Sequence, residues 1–159
     1  MLGEMPATDL AELVVQRQLW REARRKVVLT NGCFDLLHPG HVALLESARR
    51  EGDVLVVALN SDASVRGLKG EGRPLVPESE RAEVLLALEA VDRVVVYDEA
   101  TPLETILALR PDVLVKGADW AADEIVGAKE VEATGGRVVR VALVPDRSTS
   151  NLVDRIRRP

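Results

Sequence analysis

The chain has 159 residues, of which 47% are hydrophobic, and its 21 basic and 26 acidic residues give a net charge of −5. This length and composition fit one domain with a proper core, and the acidic balance argues against a non-specific nucleic-acid binder, so we expect no nucleic-acid partner. A single cysteine excludes an internal disulfide framework and fits a reducing cytoplasm, and the lack of an apolar run near ~20 residues argues against a membrane partner.

Segments with helical and strand periodicity alternate along the chain. An amphipathic helix over residues 8–24, with Asp9 or Thr8 as its cap, comes first. The longest irregular stretch, residues 60–77, is predicted to be a glycine-rich basic loop with a function. Apolar runs predict strands, and helical spacing predicts further helices; the strands cover residues 27–30, 54–59, 94–97, 113–116 and 138–143, and the helices 40–50, 78–90, 101–109, 123–134 and 149–157.

Strands that alternate with short helical crossovers predict an α/β fold, with a five-stranded parallel, Rossmann-like sheet and helices on both faces. Residues 1–26 form an N-terminal helical segment in this prediction and residues 27–159 the sheet domain, within a single domain overall. Thr101 is expected to cap one helix, with Pro102 at its first position. Ligands bind such sheets at the carboxyl ends of the strands, so we expect the site there.

The segment from Leu29 to His41 joins an apolar strand to a helix start and contains both histidines of the chain. His38 and His41 are three residues apart and fall on one face of the first helical turn. Gly40 between them removes a side chain that would keep a phosphate away, and Pro39 suits the first helical position. Because a helix N-terminus offers unpaired N–H groups and a positive dipole end, this segment is predicted to bind phosphate.

Helix capping and metal binding are the alternatives for the histidine pair. No Cys, Asp or Glu stands at ligand spacing around it, although Asp35 is near, so we expect no metal held by the protein alone. Capping accounts for one histidine, and less well for two with a glycine between them. Phosphate binding is therefore the favoured interpretation.

Three further segments are expected at the same edge of the sheet: the loop with Lys69 and Arg73, the strand end at residues 115–120, and the hydroxyl-rich helix start at residues 147–151. Such a site suits a nucleoside triphosphate and a second phosphorylated substrate. A phosphate oxygen of the second substrate then attacks the α-phosphorus in line and pyrophosphate leaves, so the protein supplies positioning and charge stabilisation. Mg²⁺ is the expected cofactor, held mostly by phosphate oxygens and water.

These segments resemble a known family. Residues 38–41 match the HxGH motif of the nucleotidyltransferase superfamily. The order of the motifs is similar to that of the D-glycero-β-D-manno-heptose 1-phosphate adenylyltransferase family; the matching segments are residues 30–35, 60–64, 68–74, 81 with 88–92, 114–119 and 148–151. The resemblance implies the nucleotidyltransferase fold and transfer of AMP from ATP to heptose 1-phosphate, which gives ADP-heptose and pyrophosphate for lipopolysaccharide core or other surface glycans. Because few residues precede the first strand, the chain resembles the stand-alone form, and a separate sugar kinase is an expected partner.

The resemblance also implies roles for individual residues. Catalysis is assigned to His38, His41 and Lys69. Nucleotide binding is assigned to a larger set from five of the matching segments: Asn31, Gly32, Cys33, Phe34, His38, Gly40, His41, Asn60, Lys116, Gly117, Asp119, Ser148, Thr149 and Ser150.

The sugar phosphate is assigned to three charged residues, Asp35, Arg73 and Arg81. Arg81 matches an arginine that meets the second substrate's phosphate in related cytidylyltransferases. A solvent-facing place on its helix is the alternative for Arg81.

Two departures from the family pattern leave alternatives open. The arginine of the superfamily's last motif falls on Val153 here, and Arg155 is the nearest cation. Trp120 follows Asp119, as in glycerol-phosphate cytidylyltransferases, so a cytidylyltransferase acting on glycerol 3-phosphate or a similar alcohol phosphate is the first alternative. A non-catalytic nucleotide-binding module is the second. A homo-oligomer, dimeric or larger, stays open, with residues 8–24 as a candidate interface helix.

Overall fold

A single parallel sheet organises the chain in the computed structural model, which describes residues 7–158. Its strands are β1 (Val27–Gly32), β2 (Val54–Asn60), β3 (Arg93–Tyr97), β4 (Val113–Gly117) and β5 (Arg137–Val141), in the spatial order β3-β2-β1-β4-β5. The five predicted strands and their parallel arrangement are confirmed, with ends that differ by one or two residues. Of the predicted N-terminal segment, residues 1–6 lie outside the described residues.

Helices cover both faces of the sheet, as predicted. In the described part of the chain they are α1 (Leu10–Glu22), α2 (Pro39–Arg49), α3 (Asp62–Lys69), α4 (Glu78–Leu86), α5 (Leu103–Leu109), α6 (Ala128–Ala133) and α7 (Thr149–Arg157). Buried side chains of α1, α5 and α6 form one core cluster with the sheet, and those of α2 and α4 form the other. This two-sided cover explains why β2 is apolar up to Asn60 and buried along its whole length.

The strand order creates a crevice beside β1. From β1 the chain winds outward through β2 to β3, then returns to the other side of β1 for β4 and β5. The connection after β1 enters α2 on one face, and the connection after β4 enters α6 on the opposite face. The two connections therefore separate at the carboxyl edge, which is where open parallel sheets bind ligands.

The first helix is tied to the sheet layer by a buried arginine. Asp9 caps α1 as predicted, by accepting a hydrogen bond from the Ala11 N–H. Arg17 donates to the Leu109 carbonyl at 3.2 Å and to the Asp112 carboxylate at 3.1 Å. Burial lowers the pKa of Arg17, and Asp112 opposes that shift. α1 is therefore a fixed part of the core layer.

The prediction of a continuous loop over residues 60–77 is wrong for its first half, because residues 62–69 form α3. The Ser61 Oγ caps this helix by accepting the Ser64 N–H at 3.1 Å, and Val65 is buried against the sheet. The glycines that suggested a loop are mostly exposed and do not prevent the short helix. After Gly70, with a φ of 95°, the chain is irregular up to α4.

Two other predicted helices have different ends. The helix predicted over residues 78–90 stops at Leu86. α5 begins after Pro102, which occupies the cap position, so the prediction that Thr101 caps this helix is wrong. Proline fits there because its missing N–H is not needed at a helix start.

The helix predicted over residues 123–134 is divided. A single 3-10 turn at Ala122–Glu124 comes first, and α6 starts only at Ala128. Between them Gly127 adopts a φ of 83°, and a Cβ there would lie 2.5 Å from the Ile106 Cδ1. Close packing on α5 at a left-handed glycine therefore separates the two pieces.

Candidate functional site

A cleft of about 580 Å³ lies at the carboxyl edge of the sheet. Segments that follow all five strands line it, in agreement with the expected place of the site. Thirteen of the residues expected from the sequence line this cleft: Asn31, Gly32, Cys33, His38, Gly40, His41, Asn60, Lys69, Lys116, Asp119, Ser148, Thr149 and Ser150.

Five expected residues do not line the cleft. Phe34 and Gly117 lie directly behind lining residues, as described below. Asp35, Arg73 and Arg81 lie in a separate set of contacts under the loop between α3 and α4.

The two histidines stack on each other at the start of α2. Their ring centroids are 3.8 Å apart and their planes differ by 23°. His38 is the N-cap, and its Nδ1 accepts the Gly40 N–H at 3.1 Å, while the His41 Nδ1 accepts the His38 N–H at 3.4 Å. The Gly40 N–H is thus already paired, unlike the free helix N–H groups expected from the sequence, so the rings themselves present the donors.

Hydrogen bonding and burial define the protonation of this pair. Because each Nδ1 accepts a backbone hydrogen bond, each neutral ring carries its proton on Nε2 and is a donor there. Burial, then His38, then Lys69 lower the pKa of His41 to about 4. Burial and, to a smaller degree, Arg147 lower the pKa of His38. Both rings are therefore neutral hydrogen-bond donors near pH 7.

Close packing fixes the histidine pair. The buried Phe34 ring lies against His41, with centroids 5.2 Å apart, so Phe34, which was expected to bind the nucleotide, supports the histidine pair from behind. A Cβ on Gly40 would lie 2.9 Å from the His38 ring and 3.3 Å from the Arg147 Cβ. A Cβ on Gly32 would lie 3.0 Å from the Phe34 ring. The glycines therefore let backbone and rings approach closely, as expected for Gly40.

The start of α7 forms the wall opposite α2. Ser148 is its N-cap, and its Oγ accepts the Asn151 N–H at 3.0 Å. The Thr149 hydroxyl donates to the Leu36 carbonyl at 3.1 Å, which joins α7 to the loop before α2. The Ser148 hydroxyl therefore caps the helix and the Thr149 hydroxyl docks it, while Ser150 also lines the cleft.

Two exposed cations line the cleft close to the histidines. Lys69 comes from the end of α3 and Arg147 from the turn before α7. Arg147 was part of a segment noted in the sequence, but no role was predicted for it. Arg155 lines two neighbouring pockets, of about 440 and 50 Å³, instead of this cleft, and Val153 is buried. Arg147 is therefore better placed than Arg155 to meet a ligand's phosphate.

The β4 end of the cleft combines a lysine, an acid and an aromatic ring. The Lys116 Nζ lies 5.2 Å from the centroid of the Trp120 ring. Burial lowers the pKa of Lys116, and Asp119 opposes that shift. A Cβ on Gly117 would lie 2.6 Å from the Asp119 carboxylate, so Gly117 makes room for Asp119. This end suits a flat, partly apolar group such as a nucleotide base.

The β3 end of the cleft is lined by neutral polar groups. The Asn31 amide donates to the Tyr97 hydroxyl at 3.3 Å. Burial raises the pKa of Tyr97, which keeps the hydroxyl protonated. The Asn60 amide donates to the Ser64 hydroxyl at 3.0 Å and accepts the weak Cys33 thiol donor at 3.7 Å. Tyr97 was missed in the sequence, where the only signal was a polar aromatic residue at the carboxyl end of an apolar run.

Asp35 and Arg73 hold the loop between α3 and α4. The Arg73 Nε donates to the Asp35 carboxylate at 2.7 Å, and the backbone N–H groups of Leu75 and Val76 donate to the same carboxylate. Burial alone would raise the pKa of Asp35, but the two N–H donors and Arg73 lower it. This charged pair therefore shapes the loop that follows Lys69 rather than lining the cleft.

Arg81 is fully buried and supports the floor of the cleft from below. Its guanidinium donates to the carbonyls of Val76 at 2.8 Å, Cys33 at 2.6 Å and Asn60 at 2.9 Å, and to the Asp62 carboxylate at 2.8 Å. Neither a solvent-facing position nor direct contact with the cleft matches this geometry. Arg81 joins the ends of β1 and β2 to α3 and α4.

The cleft thus offers hydrogen-bond donors in quantity and few carboxylates. Asp119 and Glu124 are the acids among its lining residues. Within residues 7–158 no cluster of three or more His, Cys, Asp or Glu side chains has the geometry of a metal site. Within the same residues, no helix has the length and apolar character needed to cross a membrane. The donor set suits a polyanion such as a triphosphate, which brings its own counter-cation.

Comparison with known proteins supplies a family and relatives. A family model described as "Cytidylyltransferase-like" matches residues 29–152, which include every expected site residue. The chain is 57% identical over 148 residues to the "Bifunctional protein HldE" of Koribacter versatilis, a match that covers 93% of this chain and 30% of that relative. It is 61% identical over 138 residues to the protein of the same name from Azorhizobium caulinodans, covering 87% of this chain and 29% of the relative. The chain therefore spans about 30% of the length of these curated relatives.

A solved structure agrees with the fold. The crystal structure of the lipopolysaccharide core biosynthesis protein from Thermoplasma volcanium superposes with a TM-score of 0.62 at 29% sequence identity. The match covers 76% of this chain and 97% of that one. The fold of the described residues is thus shared over nearly the whole of that structure.

Proposed function

The chain belongs to the cytidylyltransferase-like family, and on that premise we propose that it transfers AMP from ATP to D-glycero-β-D-manno-heptose 1-phosphate. ADP-heptose and pyrophosphate are the products. The extensive identity with the HldE proteins and the structural likeness to a lipopolysaccharide core biosynthesis protein support this direction. The motif pattern that resembles heptose 1-phosphate adenylyltransferases supports the choice of substrate.

The observation that carries the proposal is the stacked histidine pair at the start of α2. Its rings are 3.8 Å apart, neutral, and protonated at Nε2, inside a cleft that ends of all five strands surround. Two adjacent donors at the positive end of a helix dipole suit the oxygens of a phosphate chain. Both rings cap the helix through Nδ1, which leaves the Nε2 proton of each ring for a ligand in the cleft.

The reaction follows from this arrangement without a nucleophile from the protein. A phosphate oxygen of the heptose 1-phosphate attacks the α-phosphorus of ATP in line, and the bond to the β-phosphate oxygen breaks as pyrophosphate leaves. Negative charge grows on the α-phosphate oxygens and on the leaving group. We propose that His38 and His41 donate to oxygens that gain this charge, which is how preorganised donors accelerate such transfers.

Cations and hydroxyls complete the phosphate site in this proposal. Lys69 and Arg147 balance the β- and γ-phosphates, and Ser150 at the start of α7 adds a donor. We propose that the nucleotide enters as its Mg²⁺ complex, because the lining supplies donors to phosphate rather than a carboxylate cage. Trp120 and Lys116 face the base, and Asp119 the base or ribose.

The proposed acceptor has to be made before this reaction. A sugar 1-phosphate is the product of a phosphorylation at the anomeric position, so a kinase reaction must supply it. We propose that such a kinase stands immediately upstream.

The test is pyrophosphate release from heptose 1-phosphate with ATP and with CTP in parallel, in the presence of Mg²⁺, with the product identified by mass. Release with ATP and a product of the mass of ADP-heptose is expected. Omission of the sugar phosphate distinguishes transfer from hydrolysis of the nucleotide. Release with CTP alone would contradict the choice of base, and no release with any sugar phosphate would refute the proposed activity.

Replacement of His41 by Ala tests whether the histidine pair contributes to catalysis. Loss of one preorganised donor lowers kcat on the order of 10²-fold or more. Nucleotide binding with unchanged biological activity in this variant would instead support a non-catalytic binding module.

A further inference from the structure

The cleft is divided along the sheet edge into chemically different regions. Lys116, Trp120 and Leu143 belong to the β4–β5 end, and Asn31, Asn60 and Tyr97 to the β1–β2–β3 end. The histidine pair and the exposed cations lie in the part of the cleft formed by α2, α3 and α7. β3 and β4 are separated by three strand spacings, or about 14 Å, which leaves room for two ligands side by side.

The β1–β2–β3 end is a built site rather than a chance group of polar residues. Each of three neighbouring strands ends in or near a side chain that hydrogen-bonds, and Asn60 and Tyr97 share one register position. Asn60 and Tyr97 are 2% and 5% exposed, respectively, yet both line the cleft. Buried polar groups at a cleft surface keep a fixed orientation, because the surrounding packing leaves them few alternative rotamers.

Neighbouring contacts hold this end in place. The Ser64 hydroxyl, which accepts from Asn60, donates to the Glu99 carbonyl at 2.8 Å. The Ser61 N–H donates to the Tyr97 carbonyl at 2.9 Å. Residues 100–102, which form a wall of the cleft, come directly after Glu99, whose carbonyl is bound to α3 through Ser64. Asn60 belongs to this network, since its amide donates to Ser64 and its oxygen accepts from Cys33.

Asn31 and Tyr97 keep hydrogen-bonding capacity toward the cleft. Asn31 uses one N–H on the Tyr97 oxygen, which leaves its second N–H and its carbonyl oxygen. Tyr97 accepts that bond and has its own O–H to donate. These are neutral groups that both donate and accept, which is the pattern that a hydroxyl group matches and a phosphate does not.

Resting on the proposed function, we infer that Asn31 and Tyr97 recognise hydroxyl groups of the sugar-phosphate acceptor, at the β1–β2–β3 end of the cleft. The sugar body lies there, and its phosphate points to the histidine pair and Lys69. Asn31 thereby moves from the nucleotide, where the sequence placed it, to the acceptor. The assignment also replaces Asp35, Arg73 and Arg81 as the residues that contact the sugar phosphate.

This geometry predicts selection for a polyhydroxylated acceptor. Asn31 and Tyr97 would be left without hydrogen-bond partners by a smaller analogue of the substrate, and this lowers the affinity for the analogue. A short alcohol phosphate such as glycerol 3-phosphate can reach the histidines with its phosphate but has fewer hydroxyls for Asn31 and Tyr97. The wild-type protein should therefore prefer the heptose phosphate, and removal of either side chain should narrow that preference.

The experiment measures KM for both substrates in the wild type, in Tyr97→Phe and in Asn31→Ser. Tyr97→Phe keeps the ring and removes one hydroxyl, and Asn31→Ser provides a second variant at a less buried position. Each change should raise the KM for heptose 1-phosphate about 3- to 10-fold, the size of one hydrogen bond between neutral groups, and leave the KM for ATP within about twofold. Glycerol 3-phosphate is the comparison acceptor, and circular dichroism checks that each variant is folded.

The outcomes separate this inference from the proposed function. Wild-type KM values for heptose 1-phosphate in both folded variants would overturn the inference and leave the adenylyltransferase activity standing. A rise in the KM for ATP alone would also overturn it and return Asn31 to the nucleotide. A wild-type protein that releases no pyrophosphate with any sugar phosphate would overturn both proposals together.

Discussion

Replacing Arg81 by Met tests whether this residue supports the cleft or binds the substrate. The guanidinium is fully buried and donates four hydrogen bonds, three of them to backbone carbonyls and one to the Asp62 carboxylate. Methionine fills a similar volume and donates none. The Cys33 and Asn60 carbonyls, at the ends of β1 and β2, would then lose a charged partner.

The expected cost is large for this fold. Removing one partner from a buried ion pair and its hydrogen bonds costs about 3–5 kcal/mol, against total stabilities of about 5–15 kcal/mol for domains. For a domain of this size each kcal/mol lowers Tm by about 2–4 °C, so Arg81→Met should lower Tm by about 6–20 °C. Arg81→Lys keeps the charge but not the planar fork that reaches several acceptors, so we expect an intermediate loss.

Urea unfolding followed by tryptophan fluorescence measures both variants, and steady-state kinetics of the folded protein is the companion assay. The reasoning predicts lower stability, with KM values that change little where the protein remains folded. A variant within about 1 kcal/mol of the wild type would refute the supporting role, since surface positions rarely exceed ~0.5 kcal/mol. A stable Arg81→Lys protein with a tenfold higher KM for the acceptor would instead return Arg81 to the phosphate.

Three other predictions follow from the cleft. Gly40→Ala should keep the free energy of unfolding near that of the wild type, since the gain in helix propensity is up to ~1 kcal/mol. Its kcat/KM should fall at least about tenfold, because the new Cβ displaces the His38 ring. A variant as active as the wild type would disprove the packing argument. Arg147→Ala should lower kcat/KM for ATP about 10- to 100-fold, whereas Arg155→Ala, the matched control outside the cleft, should change it less than about twofold. The pKa of His41 is lowered to about 4 from 6.5, so between these pH values the unfolded chain binds more protons than the folded protein. The contribution of His41 to the free energy of unfolding should therefore be level above pH 6.5 and fall by at most about 3 kcal/mol on going down to pH 4. Urea titrations at a series of pH values measure this, and His41→Asn should give a flatter profile than the wild type.

The sheet could be predicted from the sequence because its strands are continuous apolar runs. β2 and β4 each begin with aliphatic residues that are buried on both faces, so hydrophobicity alone marks them. α3 was missed because Gly67 and Gly70 resemble a loop, whereas the Ser61 cap and two buried residues are enough to form eight residues of helix. The interruption at Gly127 depends on contact with Ile106, and such tertiary contacts are not visible in a local pattern.

The candidate site was predictable where a motif carried it. The histidines and the Ser148 helix start come together because the topology brings the ends of parallel strands to one edge. The charged residues in and after the loop between α3 and α4 were harder, because Arg73 in the loop and Arg81 on α4 look alike in sequence and differ only in their partners. Charge alone cannot distinguish an arginine that meets a ligand from one that satisfies carbonyl groups inside the protein.

A protein with a net charge of −5 has to bind a triphosphate through local groups. Burial lowers the pKa of both histidines and keeps them neutral near pH 7, so the pair contributes hydrogen-bond donors rather than positive charge. Arrival of a polyanion reverses this balance, because nearby negative charge favours the protonated form of each group. The same burial that keeps the rings neutral also strengthens their contacts with bound phosphates, since a low-dielectric site screens electrostatic interactions least. Stacked rings whose protonation responds to the charge of the ligand therefore suit a reaction in which negative charge grows on the phosphates.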